Sequence, residues 1–240
     1  HVSHLGGKAL VSRIVDTVNA AHPDIFISLG DLTDKDIAPG SAEAALLRGI
    51  QSTYGSYGVL GNHEFYYNVP LSLQFHQDAG ITLLRGKAVN VGPIRLIGTD
   101  DPEGVKRGYI DSTGREELLK ANAGAPRYTV ALYHQPRLPQ RLAGFVDLQL
   151  SGHTHGGQAW PVNLYVRAVH PYSAWRQATL KGENGESELF VTHGAGFNGP
   201  PFRFLVPAEV VIIDITAAHT PQITPGGGPA PSSMPPAQPE

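Results

Sequence analysis

The sequence predicts an α/β fold with two packed sheets or one large mixed sheet, and three observations point there. Apolar residues at helical spacing give way again and again to short apolar runs, both hairpin and crossover connections occur, and several of the runs end in Gly followed by a polar residue. Taken in order, Leu10, Val11, Ile14, Val15 and Val18 mark a helix that Pro23 closes before the buried strand Ile25-Phe26-Ile27. Residues 44–50 predict a second helix leading into strand 57–60, and residues 71–79 a third leading into strand 81–84. Runs 89–91 and 94–97 flank Gly92-Pro93 as a hairpin, 100–114 is a polar excursion, and 115–121 is helical. Further strands are predicted at 129–133, 148–150, 189–192 and 210–215. From Thr216 onward proline and glycine dominate, so a domain over 1–215 is expected to be followed by a disordered tail over 216–240.

Composition narrows the chemistry. With 240 residues and 41% hydrophobic side chains the chain suits one full-sized domain. A net charge of −3 without a basic block gives no electrostatic footprint for nucleic acid or for an anionic membrane surface, so neither is expected as a partner on charge alone. Cysteine is absent, so disulfides, thiolate nucleophiles and Cys-type zinc sites are excluded, and any metal must use His, Asp, Asn or Glu. Met234 is the single methionine, so His1 is not expected to be a translation start and the chain reads as a processed or excised piece. No apolar stretch approaches the ~18 residues needed to span a bilayer, and the piece itself is expected to be soluble.

Four predicted strands run into metal-type residues: Gly30-Asp31, Gly61-Asn62-His63, His134, and Gly152-His153-Thr154-His155. Ligands of α/β sheets bind outside the carboxyl ends of strands, so four such strands side by side would bring these tips together. Glycine before three of the tips allows sharp turns and close crowding. Carboxylate, amide oxygen and imidazole together suit two divalent ions of the Mn, Fe or Zn type. Asp31, the only acid at these tips, is the natural bridge. Two ions ~3.5–4 Å apart turn a bridging water into hydroxide and stabilise in-line displacement at phosphorus, with His63 placed to donate a proton to the leaving oxygen.

Gly30-Asp31-Leu32-Thr33-Asp34, Gly61-Asn62-His63-Glu64, the His134 strand end and Gly152-His153-Thr154-His155 strongly resemble the calcineurin-like metallophosphoesterases in order and spacing. The resemblance implies a four-layer α/β/β/α sandwich whose first strand is missing from this chain. It implies that His1, Asp31 and His155 hold one metal, that Asp31, Asn62, His134 and His153 hold the other, and that His63 is the general acid. His1 matches the His of the family's opening Asp-x-His motif, whose Asp would lie just upstream. Residues 191–209, with His193 and Arg203, look like the closing part of a membrane-associated bacterial phosphodiesterase branch that includes enzymes resembling UDP-diacylglucosamine pyrophosphatases. That likeness implies a membrane anchor upstream, and places His193 and Arg203 where a substrate phosphate or head group is gripped. On the residues alone, a structural role is the favoured reading for both.

The expected function is therefore hydrolysis of a phosphodiester or pyrophosphate bond in a small or lipid-linked substrate. The alternatives are a phosphomonoesterase or protein phosphatase on the same metals, and a non-catalytic binding scaffold. Asp34 and Glu64 stay outside the expected metal shell, Glu64 as a helix cap. His4 is a substitute for His1 only if the register is wrong, and His22, His76, His170 and His219 are read as ordinary histidines.

Overall fold

The computed structural model describes residues 1, 7–34, 40–109, 114–170, 172 and 176–216, so all of the expected tail except Thr216 lies outside the described residues. Helix α1 (Gly7–Ala20) buries Val11, Val15 and Val18 along one face, as their spacing requires. With α2 (Ala42–Leu47) and α4 (Val69–Asp78) it covers the outer face of a parallel sheet ordered β1 (Phe26–Ser28), β2 (Ser56–Gly58), β3 (Ile81–Leu83). Ser41 and Asn68 cap α2 and α4 by accepting the backbone N–H three residues on. The core under these helices joins Val11, Val15, Ala44, Leu47, Phe75 and Ile81.

The second sheet has six strands in the order β4 (Lys87–Val91), β5 (Ile94–Gly98), β6 (Tyr128–Leu132), β7 (Leu148–Ser151), β9 (Gly185–Val191), β8 (Gln177–Gly182). Its four central strands are parallel, and each edge is an antiparallel hairpin arm. Strand alternation divides the side chains between two cores. Val130, Leu132, Leu148 and Leu150 face the first sheet, where they meet Val59 and Leu84. Ala131 and Ile97 face outward onto Leu119 of α6 (Gly114–Ala121) and onto Leu138, Leu142 and Val146. The result is the four-layer α/β/β/α sandwich. The short helices α3 (Asn62–Tyr66), α5 (Pro102–Lys106) and α7 (Val162–Val169) lie at its loop-bearing end.

Two expectations are corrected. The strands that carry the polar tips do not lie side by side: β1 and β2 belong to one sheet and β6 and β7 to the other, so the tips meet across the sandwich. Residues 210–215 form no strand, because no described strand pairs with them. They lie across a cavity from β1, whose outer edge has no partner among the described residues. The cavity is about 490 Å³, and its lining includes Ile25, Ile27, Leu148, Phe190, Val211 and Ile213.

Candidate metal centre

The chain leaves β1 through Leu29 and Gly30 and places Asp31 at φ +52°. It leaves β2 through Leu60 and Gly61, and α3 starts at once with Asn62 and His63. These two turns press together: a Cβ on Gly30 would lie 2.8 Å from His134 Nδ1, and one on Gly61 would strike the Asp31 carboxylate. His134 follows β6 and crosses to the other sheet, where its Nδ1 lies 2.7 Å from the Leu29 carbonyl oxygen. A carbonyl only accepts, so Nδ1 carries the proton and donates, and Nε2 is left facing inward.

That nitrogen meets a set of acceptors. His134 Nε2 lies 3.0 Å from Asp31 Oδ2 and 3.1 Å from Asn62 Oδ1, while His153 Nδ1 lies 2.9 Å from the same Asn62 oxygen and 3.2 Å from His134 Nε2. Carboxylate, amide oxygen and imidazole nitrogens at these separations can be reconciled by a proton on His134 or by a metal cation among them, and the donor types suit the latter. On the other side of Asp31, His1 Nε2 is 3.6 Å from Oδ2, and both ring nitrogens of His1 are buried without a hydrogen bond. Among the described residues the ligand atoms of His1, Asp31 and His63 lie within 4.8 Å of one another, as do those of Asp31, His134 and His153. Asp31 belongs to both groups, as a bridging carboxylate must. His155 stands beside them, its ring 5.1 Å from that of His1. The donor set fits divalent metals of intermediate hardness.

Electrostatics prepare the same site. Burial alone would raise the Asp31 carboxyl, yet His134 beside it, with His1 and His63, holds it well below the usual carboxylate range. Burial opposes charge on His134, but contact with Asp31 and the Leu29 carbonyl lifts its pKa to about 9. Burial first, then His134, pushes His153 down to about 3; burial, His1 and Arg203 do the same for His155. Both rings are thus neutral at pH 7, with lone pairs to offer.

Asp34 and Glu64, read from sequence as outside the metal shell, both act on it at one remove. Asp34 reaches His63 Nδ1 at 3.5 Å through Oδ1 and His1 Nδ1 at 3.6 Å through Oδ2. Glu64 is fully buried and accepts the backbone N–H groups of Asp31 (2.9 Å), Thr33 (2.8 Å) and Gly61 (2.8 Å). It does cap α3, and it also ties the β1 turn to the β2 turn. An acid directly after Asn-His is a visible cap signal, but its reach to a turn thirty-three residues away is set by tertiary packing.

The remaining two residues named from sequence lie at the margin. His193 follows β9, its N–H donating to Glu209 Oε1 at 2.8 Å. Arg203 donates to three carbonyls, those of Gly196 (2.7 Å), His193 (2.7 Å) and His155 (3.0 Å), and so clamps the loop that carries His155 from outside.

A sandwich that gathers one shared carboxylate, an amide and several imidazoles from the carboxyl ends of facing sheets has the donor arrangement of metal-dependent hydrolases. The calcineurin-like phosphoesterase family matches residues 1–157, and the chain belongs to that family. It is 36% identical to an uncharacterized metallophosphoesterase of Aquifex aeolicus over 195 residues, 80% of this chain and 73% of that one. It is 29% identical to a Danio rerio protein named as a transmembrane protein with metallophosphoesterase domain, covering 90% of this chain and 52% of the other. The chain thus spans only about half the length of several relatives that it matches. Among solved structures, the NAD nucleotidase of Haemophilus influenzae shares the fold, with a TM-score of 0.54 at 16% identity over 77% of this chain and 39% of that one. No helix among the described residues is long and apolar enough to cross a membrane.

Proposed function

We propose that this domain is a dinuclear-metal phosphoesterase that hydrolyses a phosphodiester or pyrophosphate bond, with His63 as general acid. The observation that carries the reading is Asp31, shared by the two groups of ligand atoms. In this assignment Asp31, Asn62, His134 and His153 hold one ion, and His1, Asp31 and His155 the other. Two divalent ions there, of the Mn, Fe or Zn type, would activate water and neutralise charge on the phosphoryl group. Asp34 fixes the His63 ring through Nδ1, which leaves Nε2 to pass a proton to the departing oxygen. Asp31 Oδ1 accepts the His63 backbone N–H at 2.9 Å, so the acid and the bridging ligand keep a fixed separation. Arg203 serves the substrate by holding the His155 loop, and His193 flanks the same entrance. A small or lipid-linked phosphoester is the substrate class, and membrane association of a longer form, as in relatives named transmembrane, accords with it.

The test is metal content by elemental analysis together with Mn-supported hydrolysis of matched chromogenic phosphodiester and phosphomonoester substrates. The reading requires bound metal and faster diester turnover. His63→Ala should keep the metal and lose roughly 10²–10⁴ in rate, whereas Asp31→Asn should lose both. Loss of metal from His63→Ala would make His63 a ligand instead, since its ring is within reach of the His1–Asp31 pair. Preference for the monoester would favour the phosphatase alternative, and a chain that binds no metal would leave only the scaffold.

A further inference from the structure

Helix α7 (Val162–Val169) differs from the helices of the outer layers. Those bury an apolar face, whereas α7 buries only Asn163 and leaves Val162, Leu164, Tyr165 and Val169 exposed, Tyr165 at 70%. Next to it, the chain after Pro201 exposes Phe202, Phe204 and Leu205, the last at 73%. Trp160, itself more than half exposed, joins the two segments: its N–H donates to the Phe204 carbonyl at 3.1 Å, and Ala159 forms a β-bridge with Phe204. Large apolar side chains scattered singly over a surface mean little, but eight on two adjoining segments mark an interaction face.

This face is the rim of the metal centre. A Cβ on Gly157, at the end of the metal loop, would collide with Asn163, so α7 abuts that loop directly. His170, which ends α7, has its ring 5.6 Å from that of His153. Arg203, between Phe202 and Phe204, holds the His155 carbonyl. Whatever covers the apolar face must therefore lie against the opening to the site.

Charge says what that is. Residues 148–182 and 189–208 contain no Asp or Glu, in a chain that carries 21 acids in 240 residues. Arg176 and Lys181 within them are paired with Glu209 and Glu186, so the charges left on the two segments of the face are Arg167 and Arg203, both positive. The chain as a whole offers an anionic surface no basic footprint, but this acid-free apolar face, with Trp and Tyr among its side chains and only positive charge on its segments, differs locally and is the part that an anionic lipid surface would attract. We infer that α7 and the 202–205 segment seat the domain on an anionic membrane surface, so that a lipid phosphoester head group is presented to the metals from the bilayer plane. The inference rests on the phosphoesterase reading and specifies its substrate class.

The experiment is co-sedimentation with phosphatidylcholine vesicles, with and without phosphatidylglycerol, read alongside Trp fluorescence. Trp160 and Trp175 are the two tryptophans, so Trp175→Phe leaves Trp160 as the sole reporter. The expected result is binding that depends on phosphatidylglycerol, with Trp160 emission shifted to the blue and quenched by brominated acyl chains. Tyr165→Glu with Phe202→Glu should weaken vesicle binding at least tenfold, and Arg167→Glu should weaken it several-fold and flatten its salt dependence. All three side chains are exposed, so circular dichroism and hydrolysis of a soluble chromogenic diester should not change. Absence of binding to either vesicle, an unquenched Trp160, or binding indifferent to the paired substitution would each overturn the inference. A concentration-dependent dimer that the paired substitution dissolves would assign the face to a second copy instead. Vesicle binding is read without turnover, so an inactive but vesicle-bound chain would refute the phosphoesterase reading and leave the docking face standing.

Discussion

Replacing Glu64 tests whether the centre is held from behind. Its Oε2 accepts the N–H groups of Asp31 and Gly61, and its Oε1 accepts the N–H and hydroxyl of Thr33. In Glu64→Gln one of these oxygens becomes an amide NH₂. The better orientation keeps the oxygen toward Asp31 and Gly61 and points the NH₂ at the Thr33 hydroxyl, which can accept, so a single N–H is orphaned. Leaving one buried donor unpaired costs about 1–3 kcal/mol. Glu64→Ala orphans three donors, a loss of roughly 3–9 kcal/mol before any cavity cost, which reaches the whole stability of an ordinary domain. Urea unfolding of the metal-free chain should therefore rank wild type, Gln and Ala in that order, with the Gln midpoint clearly resolved from both. Metal titration should show Glu64→Gln weakened by about 10–100-fold, as for other residues that orient ligands, with rate recovering at saturating Mn. If Glu64→Ala were as stable as wild type and bound metal equally well, the turns carrying Asp31 and Asn62 would be held by something other than this carboxylate.

Three further outcomes follow from the same geometry. In the metal-free chain His134, raised to about 9, stabilises the fold fully below the unfolded value near 6.5 and ceases to do so as pH rises through about 9; His153 and His155, lowered to about 3, stabilise above 6.5 and lose this as pH falls toward 3. Stability measured by denaturant titration should thus peak near pH 6.5, and metal binding at pH 7 should release about one proton from His134, seen as a dependence of calorimetric heat on buffer ionisation enthalpy. Arg203→Lys replaces three nitrogens that each reach a different carbonyl with one, so it should lower stability by about 1–3 kcal/mol and weaken metal binding through the His155 loop; a raised KM with unchanged stability would show that Arg203 grips substrate directly. Phe75→Ala, in the core beneath α1 and α2, should cost about 3–5 kcal/mol by thermal or urea unfolding without changing metal affinity.

What the sequence discloses and what it hides divide along the range of the interactions. Periodicity is local, so the faces of α1 and the central strands could be read from spacing alone, and Gly30 and Gly61 announced crowding because only a residue without Cβ tolerates it. Pairing of strands is not local: nothing in residues 57–60 or 129–133 says that they lie in different sheets, and the apolar run at 210–215 reads as a strand although no described strand pairs with it. Helix α7 escapes the sequence reading for a related reason: it is short, and its apolar residues Val162, Leu164, Tyr165 and Val169 face outward while Asn163 is the buried one, so no strand or core beside it marks it out.

The backbone at the candidate ligands is the least visible feature and bears most on the proposed function. Asp31, His153 and His155 all sit at positive φ, between +49° and +70°, where side chains other than Gly cost of order 1 kcal/mol or more each. A sequence shaped by stability alone would place Gly or Asn at such positions. Imidazole and carboxylate stand there instead because the left-handed turn is what aims each of them back over the strand end toward its neighbours. Glu64, Arg203 and the His134–Leu29 hydrogen bond are the contacts that hold this strained arrangement from outside. Metal binding and stability should therefore be opposed at these positions. His155→Gly would relax the turn and forfeit a ligand, so its effect on metal affinity should far exceed its effect on the unfolding of the metal-free chain.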